Sequence, residues 1–140
     1  MNFQHFLVTR INLGYRKRIH QQNFNENEWL DYRFDLFYKT CFPSVINQNN
    51  QNFLWLIYLD SNTPTNYVQI LSEKIKNSPH IHFYLKEGEF GDWTHHVPND
   101  INQKLDPKKE YVITSRIDSD DLIHEDYIQE VQNQFDFQAY

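Results

Sequence analysis

Three carboxylates, Asp118, Asp120 and Asp121, fall within four positions just after YVITSR, a run whose β-branched and aromatic residues favour a strand. Carboxylates this close repel one another unless something positive sits between them. A divalent cation with a phosphate partner meets that need, because hard cations such as magnesium and manganese prefer oxygen ligands. The plainer alternative is a solvated turn in which Asp121 caps a following helix. A fourth carboxylate, Asp60, follows the most apolar run of the chain, FLWLIYL at 53–59, where a simple turn is again the alternative. Arg16, Lys17 and Arg18 form a basic cluster, read as a solvated face in preference to a phosphate contact. His80 and His82 alternate onto one face of a strand, but no third ligand lies nearby in sequence, so ring packing accounts for them better. His95 and His96 are adjacent and point apart on a helix or a strand, which makes a poor chelating pair. Cys41 is alone; it reads as core filler on a helix, and a reducing cytoplasm fits it best.

These residues need elements to position them. Residues 3–9, FQHFLVT, read as a first strand ending at Thr9 and Arg10, and 11–27 as a polar loop. Leu30, Phe34, Phe37 and Cys41 recur at three- and four-residue spacing, the mark of an amphipathic helix. Asn25 or Asn27 caps it, Pro43 ends or kinks it near Phe42, and Val45 and Ile46 bury one more turn before the polar run NQNNQN. The 53–59 run is a central strand buried on both faces. Val68, Leu71 and Ile75 mark a helix over 65–77, and HIHFYL at 80–85 a third strand. Residues 86–99 hold two of the three glycines and read as a loop, with a short helix at 100–106 before Pro107. The stretch before the acidic triplet is a fourth, buried strand, and Ile123, Tyr127, Ile128, Val131 and Phe135 share the face of a last helix. Phe135, Phe137 and Ala139 then alternate as a strand should, leaving an apolar edge open to pairing with another chain. The alternation predicts an α/β fold: a mostly parallel sheet with flanking helices and right-handed crossovers. Thr9, Asp60 and the triplet then converge at C-terminal strand edges, where open α/β sheets bind ligands.

Three chemistries use closely spaced Asp on such a fold. A calcium loop of the EF-hand type needs Gly at its sixth position and Glu at its twelfth. Counting from Asp118 gives Ile123 and Gln129, so that reading fails. A haloacid-dehalogenase-type phosphatase resembles D-x-D-x followed by Thr or Val, on the first strand; here the fifth residue is Leu122, on the last strand. The third is a nucleotide-sugar glycosyltransferase, whose D-x-D holds a metal that bridges the donor's two phosphates and acts as a Lewis acid on the leaving diphosphate.

The ordered set HFLVTRINL, W-L-x-x-R-x-x-L-F, CFPSVINQ, FLWLIYLD and SRIDSDD resembles the rhamnosyltransferase family. That family is similar to the inverting GT-A glycosyltransferases that include cellulose and hyaluronan synthases. The resemblance runs from His5 to about Asp126. It implies a Rossmann-like GT-A fold that binds a nucleoside-diphosphate sugar through Mn2+ or Mg2+ and passes the sugar to a glycan or other hydroxyl acceptor. It places Thr9 and Arg10 beside the nucleotide base and ribose. Asp60 accepts a hydrogen bond from the base, Asp118 holds the ribose hydroxyls and joins the metal site, and Asp120 binds the metal. Asp121 adds to the donor site or caps the next helix, and Arg116 neutralises the acidic cluster or the diphosphate. The resemblance also implies that the acceptor site and catalytic base lie beyond this stretch, so the base is unassigned and the fold is expected to be incomplete at its C-terminus.

Composition narrows the class further. The 140 residues make one domain, 1–140, with an aromatic content of 16% that predicts a ring-rich core. A net charge of −6 argues against a nucleic-acid binder held by phosphate contacts. No apolar run of about 18 residues occurs, so no membrane span is expected, and MNFQHFLVTR does not read as a signal peptide. The rival to a glycosyltransferase is a non-enzymatic half-domain that binds nucleotide or metal and senses or scaffolds.

Overall fold

A computed structural model describes residues 2–88 and 93–138, with the side chains of 136–138 excepted. Four parallel strands form the sheet: β1 (Phe3–Arg10), β2 (Leu54–Asp60), β3 (Ile81–Lys86) and β4 (Tyr111–Arg116), in the order β3-β2-β1-β4. The chain steps outward from β1 through β2 to β3, then returns to lay β4 on the other side of β1. The order therefore reverses between β1 and β4, which is where open α/β sheets carry a ligand crevice.

The alternation of each strand assigns its side chains to two cores. Leu7 on β1 and Trp55, Ile57 and Leu59 on β2 face one side, packed by α1 (Tyr15–Gln22), α2 (Glu26–Lys39), α3 (Cys41–Ile46), α4 (Thr65–Ile75) and the start of α6 (Tyr127–Gln138). Phe6, Val8, Leu56 and Tyr58 face the other, covered by Trp93, Val97 and Ile101 of α5 (Trp93–Gln103). This explains the continuous apolar run of β2: both of its faces are buried. Trp55 is fully buried beside Phe37 and Phe42, so truncating it to Ala would cost about 3–5 kcal/mol.

The helices follow from local chemistry. Asn25 caps α2 by accepting the backbone N–H of Glu28, and Leu30, Phe34 and Phe37 form its buried face. The break after α2 falls at Thr40, ahead of Pro43. Pro43 sits in the first turn of α3, where its missing N–H leaves no bond unmade.

Four expectations are corrected. The segment 11–27 is not all loop: α1 forms on Tyr15 and Ile19, one turn apart and both buried. Within 86–99, residues 89–92 lie outside the described region, but α5 begins at Trp93 despite Pro98, because Trp93, Val97 and Ile101 recur every four residues against the sheet. The strand before the acidic triplet is not buried. β4 pairs only with β1 among the described residues, and Tyr111 and Val112 are exposed. The alternating strand expected at Phe135 and Phe137 is instead the last turn of α6, where Phe135 packs on Phe3 and Tyr111; Ala139 lies outside the described residues. Among the described residues, no strand edge forms there for the expected self-association.

The polar run at 47–52 is a clasp on α6. Gln48 donates to His124 O at 2.6 Å and accepts from Ile128 N at 3.0 Å, while Asn49 N reaches Glu125 O at 2.9 Å. Asn50 donates to Gln129 and Gln132, and Gln132 donates to Asn52 O and contacts buried His5. His5 in turn bonds Ser115 on β4 at 2.7 Å. These amides pair the buried polar groups between β1, β4 and α6.

Candidate functional site

A crevice of about 640 Å³ opens at the C-terminal ends of β1 and β2, bordered by the turn after β4. Its floor is the loop that leaves β1. Asn12 Nδ2 donates to Thr63 Oγ1 at 2.8 Å, and Thr63 Oγ1 donates to Asp60 O at 2.6 Å. The Asp60 carboxylate accepts Gly14 N at 2.8 Å on one oxygen and both Asn62 N–H groups, at 2.8 and 3.1 Å, on the other. Gly14 takes φ 71°, a left-handed conformation that glycine adopts without steric cost, and this turns the chain into α1 over the strand ends. Buried Asp60 is thus held by three N–H donors and ties two loops together.

One wall is cationic. Arg10, Arg16, Lys17, Arg18 and Arg33 all line the crevice. Arg16 lies 3.7 Å from Glu26, whose other partner is the Tyr15 hydroxyl at 2.7 Å. Burial, then that bond to Glu26, pushes the Tyr15 phenol up to about 12. Tyr15 stacks on Trp29, which also lines the crevice, with centroids 5.7 Å apart. Arg10 stands over the Trp93 ring at 4.6 Å and Arg116 over the same ring at 5.6 Å. Burial first, then the nearby Arg116 cation, lowers Arg10 from its ordinary value, while Asp118 opposes that shift.

The crevice also has an acidic part. Ile117 N donates to Val8 O at 3.1 Å, which extends the β1–β4 pairing to the edge of the triplet. Asp121 Oδ2 accepts Asp118 N at 2.9 Å and Asp121 N donates to Asp118 O at 3.1 Å, closing a tight turn. Asp118, Asp120 and Asp121 each offer an oxygen within 4.8 Å of the others. Asp118, Ser119 and Asp120 line the crevice. The Ser119 hydroxyl is buried with no hydrogen-bond partner in the structure, a group that a ligand or water at the turn would satisfy. An all-oxygen donor set of this kind fits a hard divalent cation.

The structure therefore brings Arg10, Asp60, Asp118 and Asp120 to one crevice and treats the others differently. Thr9 is fully buried, with its hydroxyl accepting the Trp55 indole N–H at 3.0 Å on the core face of the sheet. Thr9 and Arg10 are consecutive on a strand, so they face opposite sides of the sheet. Asp121 braces the turn instead of capping α6, which starts six residues later, and Arg116 sits against Trp93. His80 bonds Gln51 at 2.8 Å and packs edge-on to Phe53; neither it nor His82 belongs to a three-ligand group among the described residues. His95 and His96 lie on α5, and Asp92 falls outside the described residues. Cys41 is buried, and burial pushes its thiol up to about 12, as suits core filler. Sequence reasoning noted the Arg16–Arg18 cluster but preferred a solvated face for it, and gave Arg33 no role. The signal for the cationic wall was Gly14, the glycine that follows β1, since a glycine there permits the turn that carries Arg16 to Arg18 back over the strand ends.

No helix among the described residues is long and apolar enough to cross a membrane. No curated protein matches the chain. Residues 16–139 match the family described as "Putative rhamnosyl transferase", a span that takes in the cationic helix, Asp60 and the acidic turn. The chain belongs to this rhamnosyl transferase family.

Proposed function

We propose that the chain binds a nucleoside-diphosphate sugar in the crevice between β1 and β4 and serves glycosyl transfer to a hydroxyl acceptor. The observation that carries this is the placement of the Asp118–Asp120 turn and a cationic wall on one cavity at the C-terminal strand ends. Its volume, about 640 Å³, is within the usual range for small-molecule sites. Asp118 and Asp120 would hold a divalent cation, manganese or magnesium, which supplies Lewis acidity to the leaving diphosphate. Asp121 keeps the turn in shape through the Asp118 N–H. Asp60 holds the floor loop and so positions Arg10 and the start of α1 against the nucleotide. Arg10, steadied on Trp93 at the crevice, would stabilise the negative charge that gathers on the diphosphate as the sugar–phosphate bond breaks and the bond to the acceptor forms.

Transfer with inversion needs a base to take the acceptor proton. Among the described residues that line the crevice, the only carboxylates are Asp60, Asp118 and Asp120, and no histidine joins them. Asp60 is occupied by N–H donors and the other two face the cation site. That observation favours a second reading, a nucleotide- or metal-binding half-domain without turnover. Incubating the protein with manganese and a panel of nucleoside-diphosphate sugars, with and without glycan acceptors, separates them. Acceptor-dependent release of nucleoside diphosphate supports the transferase. Binding by calorimetry without release supports the half-domain, and absence of binding rejects both.

A further inference from the structure

The crevice is more positive than the metal site alone requires. Among the described residues, five cations line it, of which Arg16 lies beside Glu26, against three carboxylates, in a chain whose net charge is −6. One of those carboxylates, Asp60, already accepts three N–H groups. Arg10 lies within electrostatic reach of Arg18, Arg33, Arg116 and Asp118. Cations gathered around one cavity repel until an anion sits among them, and guanidinium groups favour phosphate because their planar donors match its oxygens.

We propose that Arg18 and Arg33, joined by Arg10, form a metal-independent set of contacts that grips the diphosphate alongside the site of Asp118 and Asp120. The proposal rests on the nucleotide reading above and adds a second set of phosphate contacts to it. Arg33 is placed for this by its Nε, which donates to Ile11 O at 3.5 Å, beside the floor loop. Arg18 projects from the exposed side of α1, whose buried residues are Tyr15 and Ile19. With no cation bound, this wall should still hold inorganic pyrophosphate and nucleoside diphosphates, with affinity falling as salt rises.

The test is calorimetry on the whole chain, in EDTA and in manganese, with inorganic pyrophosphate and with UDP, GDP and dTDP. Wild-type protein should bind pyrophosphate and at least one nucleoside diphosphate in EDTA. The double substitution Arg18→Gln with Arg33→Gln should weaken that binding at least about tenfold, the loss expected for charge-assisted contacts. Lys76→Gln makes a single charge change outside the crevice, next to Glu73, and should leave affinity within about twofold. Arg18→Gln alone, at an exposed position, guards against a folding defect and should show part of the same loss. Equal affinity of the double variant and wild type in EDTA overturns the wall, as does a wild type that binds neither ligand in EDTA. Manganese-dependent nucleotide binding indifferent to both arginines would keep the nucleotide reading and reject this one. Arginine-dependent pyrophosphate binding, with nucleoside diphosphates binding no better in either buffer, would keep the wall and reject the nucleotide.

Discussion

The backbone N–H of Gly14 donates to Asp60 Oδ2 at 2.8 Å, so the carboxylate that ends β2 fixes the loop that leaves β1. The relationship joins two strand ends that lie 46 residues apart in sequence. It predicts that Asp60→Ala is a stability mutation before it is a binding mutation. Losing a buried carboxylate that accepts three N–H groups should cost about 3 kcal/mol, by the usual worth of hydrogen bonds to a charged group. Urea unfolding without ligand measures it. A change below about 0.5 kcal/mol, the range of ordinary surface substitutions, would mean the loop holds itself.

Asp120→Asn should do the reverse. Asp120 is exposed at the crevice, so unfolding should move by no more than about 0.5 kcal/mol. Manganese-dependent affinity for a nucleoside diphosphate should fall at least about tenfold, because an amide brings no charge to a hard cation. Calorimetry with and without manganese decides it, and unchanged affinity would place the metal elsewhere.

Thr9→Val is expected to leave nucleotide affinity alone and to destabilise the fold. It removes the acceptor of the buried Trp55 indole N–H, at a cost of about 1–3 kcal/mol. Equilibrium unfolding and nucleotide titration of the one variant test both halves. A loss of affinity without a loss of stability would return Thr9 to the ligand site.

His5 gives the fold an acid-sensitive point. Burial lowers its imidazole from the ordinary 6.5 to about 4. The folded state therefore binds fewer protons than the unfolded state between those values. Its contribution is full above about 6.5 and is lost as pH falls towards about 4, amounting to roughly 3 kcal/mol across the window. His5→Gln keeps an amide beside Ser115 and Gln132 but does not titrate. Its unfolding free energy should decline less than that of wild type between pH 6.5 and pH 4.5, roughly the span in which the ring is protonated only when unfolded. Parallel curves would remove His5 from the acid response.

How much of this was legible depends on how each residue declares itself. β2 and α2 announce themselves because one is apolar throughout and the other repeats Leu30, Phe34 and Phe37 at helical spacing. α1 does not, since YRKRIHQQ offers only Tyr15 and Ile19 as apolar anchors and charge elsewhere. Pro98 hid α5, although the tertiary contacts of Trp93, Val97 and Ile101 outweigh the bond it removes. The carboxylates of the site were visible as a spacing. The cations were visible only in part, as Arg10 and the 16–18 cluster, because Arg33 comes from α2 and Arg18 from α1, and the folded loop through Gly14 and Asp60 brings them to one cavity. Which face of the sheet Thr9 and Arg10 each take is a question of strand parity, which the strand's end does not reveal.

The amide clasp on α6 has a consequence for the order in which the molecule assembles. Asn49 meets Asp126 across 77 positions and Asn50 meets Gln132 across 82, so these bonds close long loops. Loop closure over such a separation costs chain entropy before the contact repays it, so α6 is expected to dock late in folding. Once closed, residues 47–52 and α6 protect one another, and their backbone amides should exchange with deuterium as one opening unit. The acidic turn hangs between β4 and that unit. Opening of the clasp is therefore expected to loosen one end of the turn, and a bound cation there should slow exchange in a segment about seventy residues upstream.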